Sequence, residues 1–137
     1  MPLILLIEND EGDVFLFRRA LSRLNYDGGV RVVGSVTEAR AYLEGLGPFA
    51  DRTYYALPDL IVSDMNLSGQ TGNDFLEWLR QNPAFCELPF VFLSGSFGPA
   101  DKARADELSA GSFFVKSGDI NVMVERVAHM LKFLPPI

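Results

Sequence analysis

Apolar residues along the chain gather into short uninterrupted runs, and each run gives way to a polar side chain. Leu3 to Ile7 stops at Glu8-Asn9-Asp10, Leu60 to Val62 leads to Asp64, Phe90 to Leu93 to Ser94, and Phe113 to Val115 to Lys116. Short apolar runs rich in β-branched and aromatic residues predict strands buried on both faces, as in a parallel sheet. Between them the period lengthens to that of a helix. Val14, Phe17, Leu21 and Leu24 recur at three- and four-residue steps after an opening at Asp10 or Gly12, and Asn25 to Gly29 ends the stretch. Val30 to Val33 predicts a second strand. Ser35 and Thr37 offer cap oxygens to a helix carrying Ala39, Tyr42, Leu43 and Leu46, which Gly47-Pro48 stops.

A polar and aromatic loop, Phe49 to Pro58, precedes the third strand. Gly69 to Gly72 predicts a turn into a helix through Phe75, Trp78 and Leu79 that ends before Pro83. Asp101 to Ala110 predicts a fourth helix, stopped by Gly111, and Ile120 to Leu134 a fifth, followed by Pro135-Pro136-Ile137. Five strands alternating with five helices imply βαβ units, hence an α/β fold with a doubly wound, five-stranded parallel sheet. In such sheets the binding crevice lies outside the carboxyl ends of the strands. Glu8, Asn9, Asp10, Asp64, Ser94 and Lys116 therefore converge on one edge, as a site for a cation and an anion together would require.

Composition narrows the choice of chemistry. With 137 residues, 48% of them hydrophobic, the chain is expected to form one domain over residues 1–137 with a core that needs no staples. One cysteine, Cys86, excludes an internal disulfide framework, and one histidine, His129, leaves no soft-metal cluster. Cys86 reads as a packing residue, His129 as an exposed position on the last helix and Trp78 as core. The formal charge of −6 argues against a nucleic-acid partner, and Arg18, Arg19 and Arg23 read as a solvated helix face. Met1-Pro2-Leu3-Ile4 has no basic region before its apolar run and reaches Glu8 at once, so no secretion signal or membrane span is expected and the cytoplasm is the expected location.

An aspartate can attack a phosphoryl group, forming an acyl phosphate, if a divalent cation offsets the negative charge of both partners. Asp64 is the candidate nucleophile; a helix cap or turn residue is the plainer alternative. Mg²⁺ takes oxygen ligands and keeps several waters, so the Glu8, Asp10 and Asp64 carboxylates suit it, although Asp10 also suits the cap of the first helix. Lys116 can pair with Asp64 before reaction and with phosphoryl oxygen afterwards, and the Ser94 hydroxyl can donate to the same group.

The segments Leu-Leu-Ile-Glu-Asn-Asp at 5–10, Asp-Leu-Ile-Val-Ser-Asp-Met-Asn-Leu-Ser-Gly at 59–69, Phe-Leu-Ser-Gly-Ser at 92–96 and Phe-Phe-Val-Lys at 113–116 together resemble the receiver domains of two-component response regulators, over nearly the whole chain. The long loop after the second helix is similar to that of stand-alone receivers that partner phytochrome-type histidine kinases. The resemblance implies a flavodoxin-like strand order 2-1-3-4-5, and a phosphoryl group taken onto Asp64 from a histidine kinase or phosphotransfer protein. It also implies Mg²⁺ held with help from the Asn66 backbone carbonyl, and a switch through Ser94 and Phe113. A phosphoryl group adds roughly 1.5 to 2 negative charges, which can draw Ser94 and the Gly95 to Pro99 loop inward. Phe113, lacking a hydroxyl, then either rotates or stays fixed in the core. The face of the fourth helix, fifth strand and fifth helix is the expected output surface, for a partner or a second copy of the chain. Signalling by association, not enzymatic turnover, is the expected activity.

Two positions depart from the family pattern. Asn9 stands where the family usually has its principal metal-ligating acid, which lowers the expected metal affinity unless Glu8 or Asp10 substitutes. Ser117 follows Lys116 where the family has a cis-proline; a cis bond to a non-proline residue costs roughly 2.5 to 4 kcal/mol, so a trans 116–117 bond is expected. Both departures favour a competing reading, a degenerate receiver acting as a phosphorylation-independent interaction module. A flavodoxin-type cofactor binder is disfavoured, because the acids of Glu8 to Glu11 would repel a phosphate after the first strand.

Overall fold

The computed structural model describes residues 1–67 and 69–135; Ser68 of the third-strand motif and the terminal Pro136-Ile137 lie outside them. Strands β1 (Leu3–Ile7), β2 (Gly29–Val33), β3 (Leu60–Ser63), β4 (Phe90–Ser94) and β5 (Ser112–Val115) form one parallel sheet in the order β2-β1-β3-β4-β5. Helices α1 (Glu11–Arg23), α2 (Val36–Glu44), α3 (Gly72–Gln81) and α4 (Pro99–Glu107) lie in the four crossovers, and α5 (Ile120–Leu131) follows the last strand. The doubly wound sheet and the order 2-1-3-4-5 are thus as expected.

Side chains alternate across each strand, and this divides the core into two layers. Ile4, Leu6, Leu60, Val62, Val91 and Leu93 pack against Phe17 and Leu21 of α1 and Met123 and Val127 of α5. Leu5, Ile7, Ile61, Phe90 and Phe92 point the other way, onto Tyr42 and Leu43 of α2, Phe75 and Leu79 of α3 and Ala105 of α4. Full burial of each such side chain stabilises the fold by roughly 1.5–3 kcal/mol. Those contacts fix where the strand ends lie. β5, at the sheet edge, is less sealed than its apolar sequence suggests: no residue of Phe113 to Val115 is fully buried.

Several boundaries differ from the sequence expectation. The second helix ends at Glu44 because Gly45, at φ 68°, turns its N–H back to the Ala41 and Tyr42 carbonyls; Gly47-Pro48 opens a separate 3-10 turn, Gly47–Phe49. That turn brings Phe49 and Tyr55 onto Tyr42, with ring centroids 5.2 and 6.0 Å away, so the long loop is packed by its own aromatic cluster. A short antiparallel ribbon, Asn66–Leu67 with Gln70–Thr71, replaces the simple turn expected before α3. α4 begins two residues early, at Pro99, where the Asp101 carboxylate accepts the Gly98 N–H at 3.0 Å, and α5 stops at Leu131. Trp78 is half-buried, stacked on Phe75 under the Arg40 guanidinium, not enclosed in the core. His129, Arg18, Arg19 and Arg23 are exposed as expected, and Cys86 is half-buried. Among the described residues the peptide bonds are trans, including that between Lys116 and Ser117.

Candidate functional site

Backbone hydrogen bonds between neighbouring strands carry the polar residues to one place. Glu8 N–H donates to the Val33 carbonyl at 2.9 Å, Asp64 N–H to Ile7 at 3.1 Å and Lys116 N–H to Ser94 at 3.0 Å, so the sheet ladder continues one residue into each motif. Gly72 lets the chain return beneath Asp64: its N–H donates to the Met65 carbonyl at 2.6 Å, and a Cβ there would lie 2.5 Å from the Phe92 ring and 2.6 Å from the Asp64 carbonyl oxygen. Only glycine fits that approach.

At the centre stands the Lys116 ammonium, whose side chain is 18% exposed. It donates to Asp64 Oδ2 at 2.9 Å, to Asp13 Oδ2 at 2.7 Å and pairs with Glu8 Oε1. Ser94 Oγ, fully buried, lies 2.8 Å from Asp64 Oδ1 and 3.0 Å from the Ser96 carbonyl, and its one proton can serve either. Asn66 N–H approaches Asp64 Oδ1 at 3.3 Å, while its side-chain amide donates to the Ser96 carbonyl at 3.1 Å. Asp64 is therefore held by a hydroxyl on one oxygen and an ammonium on the other.

Burial pushes the Glu8 carboxyl up to about 7, against the Lys116 charge that pulls it down. Burial alone would lower Lys116, but its hydrogen bonds to Asp13, Glu8 and Asp64 outweigh that and hold it firmly protonated. A cation is thus already lodged among the acids.

Of the residues singled out in the sequence, the structure brings together Glu8, Asp64, Ser94 and Lys116, with Asn66 alongside. Asn9 and Asp10 are exposed at the rim of the site, and Asp10 Oδ1 accepts the Asp13 N–H at 2.9 Å and caps α1. Phe113 stacks on Phe92 at 4.9 Å and meets Phe97, from the loop after β4, at 4.7 Å. Asp13, Ser96 and Phe97 are site neighbours that the sequence reading missed.

The donors on offer to a metal are all hard oxygens, which suits Mg²⁺ or Mn²⁺. Glu8 and Asp64 converge on one ammonium nitrogen, so both reach a common cation position. Among the described residues no three acidic, histidine or cysteine side chains are disposed around an open metal position; Lys116 occupies the point where they meet.

The response regulator receiver domain profile matches residues 4–128. The chain is 26% identical over 130 residues to the response regulator Rcp1 of Synechocystis, covering 95% of this chain and 86% of that one. The phosphorylated cyanobacterial phytochrome response regulator RcpA superposes with a TM-score of 0.86 at 28% identity, covering 97% of this chain and 93% of that one. Rcp1 in its Mn²⁺-bound form superposes at 0.85 and 25% identity, covering 99% and 100%. Sequence profile, sheet order and the converging strand ends agree: this chain belongs to the response regulator receiver domain family.

Proposed function

We propose that this receiver takes a phosphoryl group onto Asp64 from a phosphohistidine of a histidine kinase or phosphotransfer protein, and signals by binding another protein. The observation that carries this reading is the grip on Asp64: Ser94 Oγ at 2.8 Å on one oxygen and Lys116 Nζ at 2.9 Å on the other. A carboxylate oxygen attacks phosphorus, the histidine N–P bond breaks, and the imidazole leaves with the electron pair of that bond. Lys116 and Ser94, already pointing at the carboxylate, are placed to donate to the phosphoryl oxygens that arrive there. Glu8, Asp64 and the Asn66 carbonyl would hold a divalent cation, with the Asn9 side-chain oxygen in place of the usual acid. Such an ion supplies charge neutralisation between nucleophile and phosphoryl group. The phosphorylated state of RcpA and the Mn²⁺-bound form of Rcp1, receivers similar to this chain, support the phosphoryl and metal parts of the reading.

Incubation with acetyl phosphate and MgCl₂, followed by intact-mass spectrometry, tests it. One phosphoryl adduct is expected on the wild type and none on Asp64→Asn. A folded wild type that gains no adduct from acetyl phosphate or a phosphohistidine donor would favour the second reading, a constitutive interaction module. Asn9, which removes a charge from the metal position, is the feature that supports that alternative.

A further inference from the structure

Lys116 has three carboxylate partners, and one of them belongs to no strand end. Asp13 lies in the first turn of α1, 103 positions before Lys116, and its Oδ2 is 2.7 Å from the ammonium nitrogen. Its place is fixed, because Asp10 caps its backbone N–H and Phe17, one turn on, is buried in the core. The partly positive N-terminus of the helix also favours a carboxylate there.

Resting on the receiver reading above, we infer that Asp13 is a positioning residue: it replaces the charge missing at Asn9 and holds Lys116 beside Asp64 when a divalent cation claims Glu8. The charge balance carries the first part. Ionised Glu8, Asp13 and Asp64 around one ammonium leave an excess of two negative charges, matching a divalent cation; without Asp13 the excess is one. The geometry carries the second part. A metal ion and an ammonium group on the same carboxylate repel each other, so Lys116 must yield Glu8 when metal arrives. Asp13 gives the ammonium a partner that is not shared with the metal position. Lys116 then stays within reach of Asp64 and of the phosphoryl group, where an unpartnered lysine would turn out to solvent.

Mn²⁺ titration of the full chain, read by electron paramagnetic resonance, is combined with initial rates of phosphorylation by acetyl phosphate at saturating Mn²⁺. Asp13→Asn is expected to weaken Mn²⁺ binding about tenfold, the equivalent of roughly 1.4 kcal/mol. It also lowers the saturating rate, since Lys116 no longer has its second anchor. Asp13→Glu restores most of both, which a packing role for the shorter side chain would not allow. Unchanged Mn²⁺ affinity and unchanged saturating rate in a folded Asp13→Asn protein, by circular dichroism, overturn the assignment. A wild type that binds Mn²⁺ but takes no phosphoryl group defeats the receiver reading, while the Mn²⁺ arm still decides Asp13. A wild type that does neither overturns both.

Discussion

Glu8 is 5% exposed, with a single ammonium as its charged partner. The neutral form suits that burial better than the ionised one, which is why its titration moves from 4.5 up to about 7. Between those values the folded protein retains a proton that the unfolded chain gives up. The stability Glu8 contributes at low pH is therefore lost as pH rises through that window. Thermal unfolding of the metal-free protein from pH 5 to 7.5 is expected to show this loss, and Glu8→Gln to flatten it; equal slopes in the two proteins would refute the assignment. Glu8, Asp64, Ser94 and Lys116 were legible because an apolar run ends abruptly at each. Asp13 carried a subtler signal. It sits four residues before Phe17 and eight before Leu21, so it is an acid on the buried stripe of α1, and such a residue calls for a partner. Phe97 and Ser96 lie in a loop without period, where no pattern reports a contact with Phe113 or Asn66.

Helix α4 is attached differently from the other four. Ala105 is its one fully buried residue, so apolar packing holds it weakly, and polar pins from α3 supply the rest. Buried Asn73 donates to the Asp101 carbonyl at 2.9 Å, Arg104 pairs with Asp74 and Glu77, and Arg80 donates to the Leu108 and Ser109 carbonyls, each at 2.9 Å. The Arg104 pairs are exposed and contribute little. Arg80 matters more, because it also donates to the Cys86 and Leu88 carbonyls at 3.0 and 2.7 Å and so ties α4 to the approach to β4. Arg80→Ala is expected to cost about 2 kcal/mol by leaving half-buried carbonyls without a donor, and to speed amide exchange at the end of α4 more than in α1. Exchange rising equally in both helices would mean that Arg80 supports the fold at large. The Gly95 to Pro99 loop and the stop at Gly111 placed this helix at 101–110 in the sequence; the Gly98–Asp101 cap and the pins from α3, which the apolar pattern does not report, set its true span of Pro99–Glu107. The end of α2 moved for a local reason, since Gly45 reached the left-handed conformation before Gly47-Pro48 could act.

Across the whole molecule, the seal of the core is uneven. β1, β3 and β4 are buried along nearly their full length, whereas Val115 of the edge strand β5 is 44% exposed beside the sparsely packed α4. The loop from Ser94 to Pro99 joins the two regions: Ser94 touches Asp64, and Phe97 lies on Phe113. If a phosphoryl group on Asp64 draws Ser94 inward, Phe97 is expected to follow, changing the support of Phe113 and the surface formed by α4, β5 and α5. If that surface is the output for a second copy of the chain, beryllofluoride with Mg²⁺, an acyl-phosphate mimic, shifts the protein from monomer to dimer in analytical ultracentrifugation. Val115→Glu would keep it monomeric by setting a charge in the centre of the contact, while an exposed site tolerates the change with little loss of stability. Beryllofluoride binding itself, followed by amide shifts around Asp64, is expected to survive the substitution. Dimers that form equally well in the Val115→Glu protein would place the contact elsewhere, and a chain monomeric in every state would leave the face to a different protein.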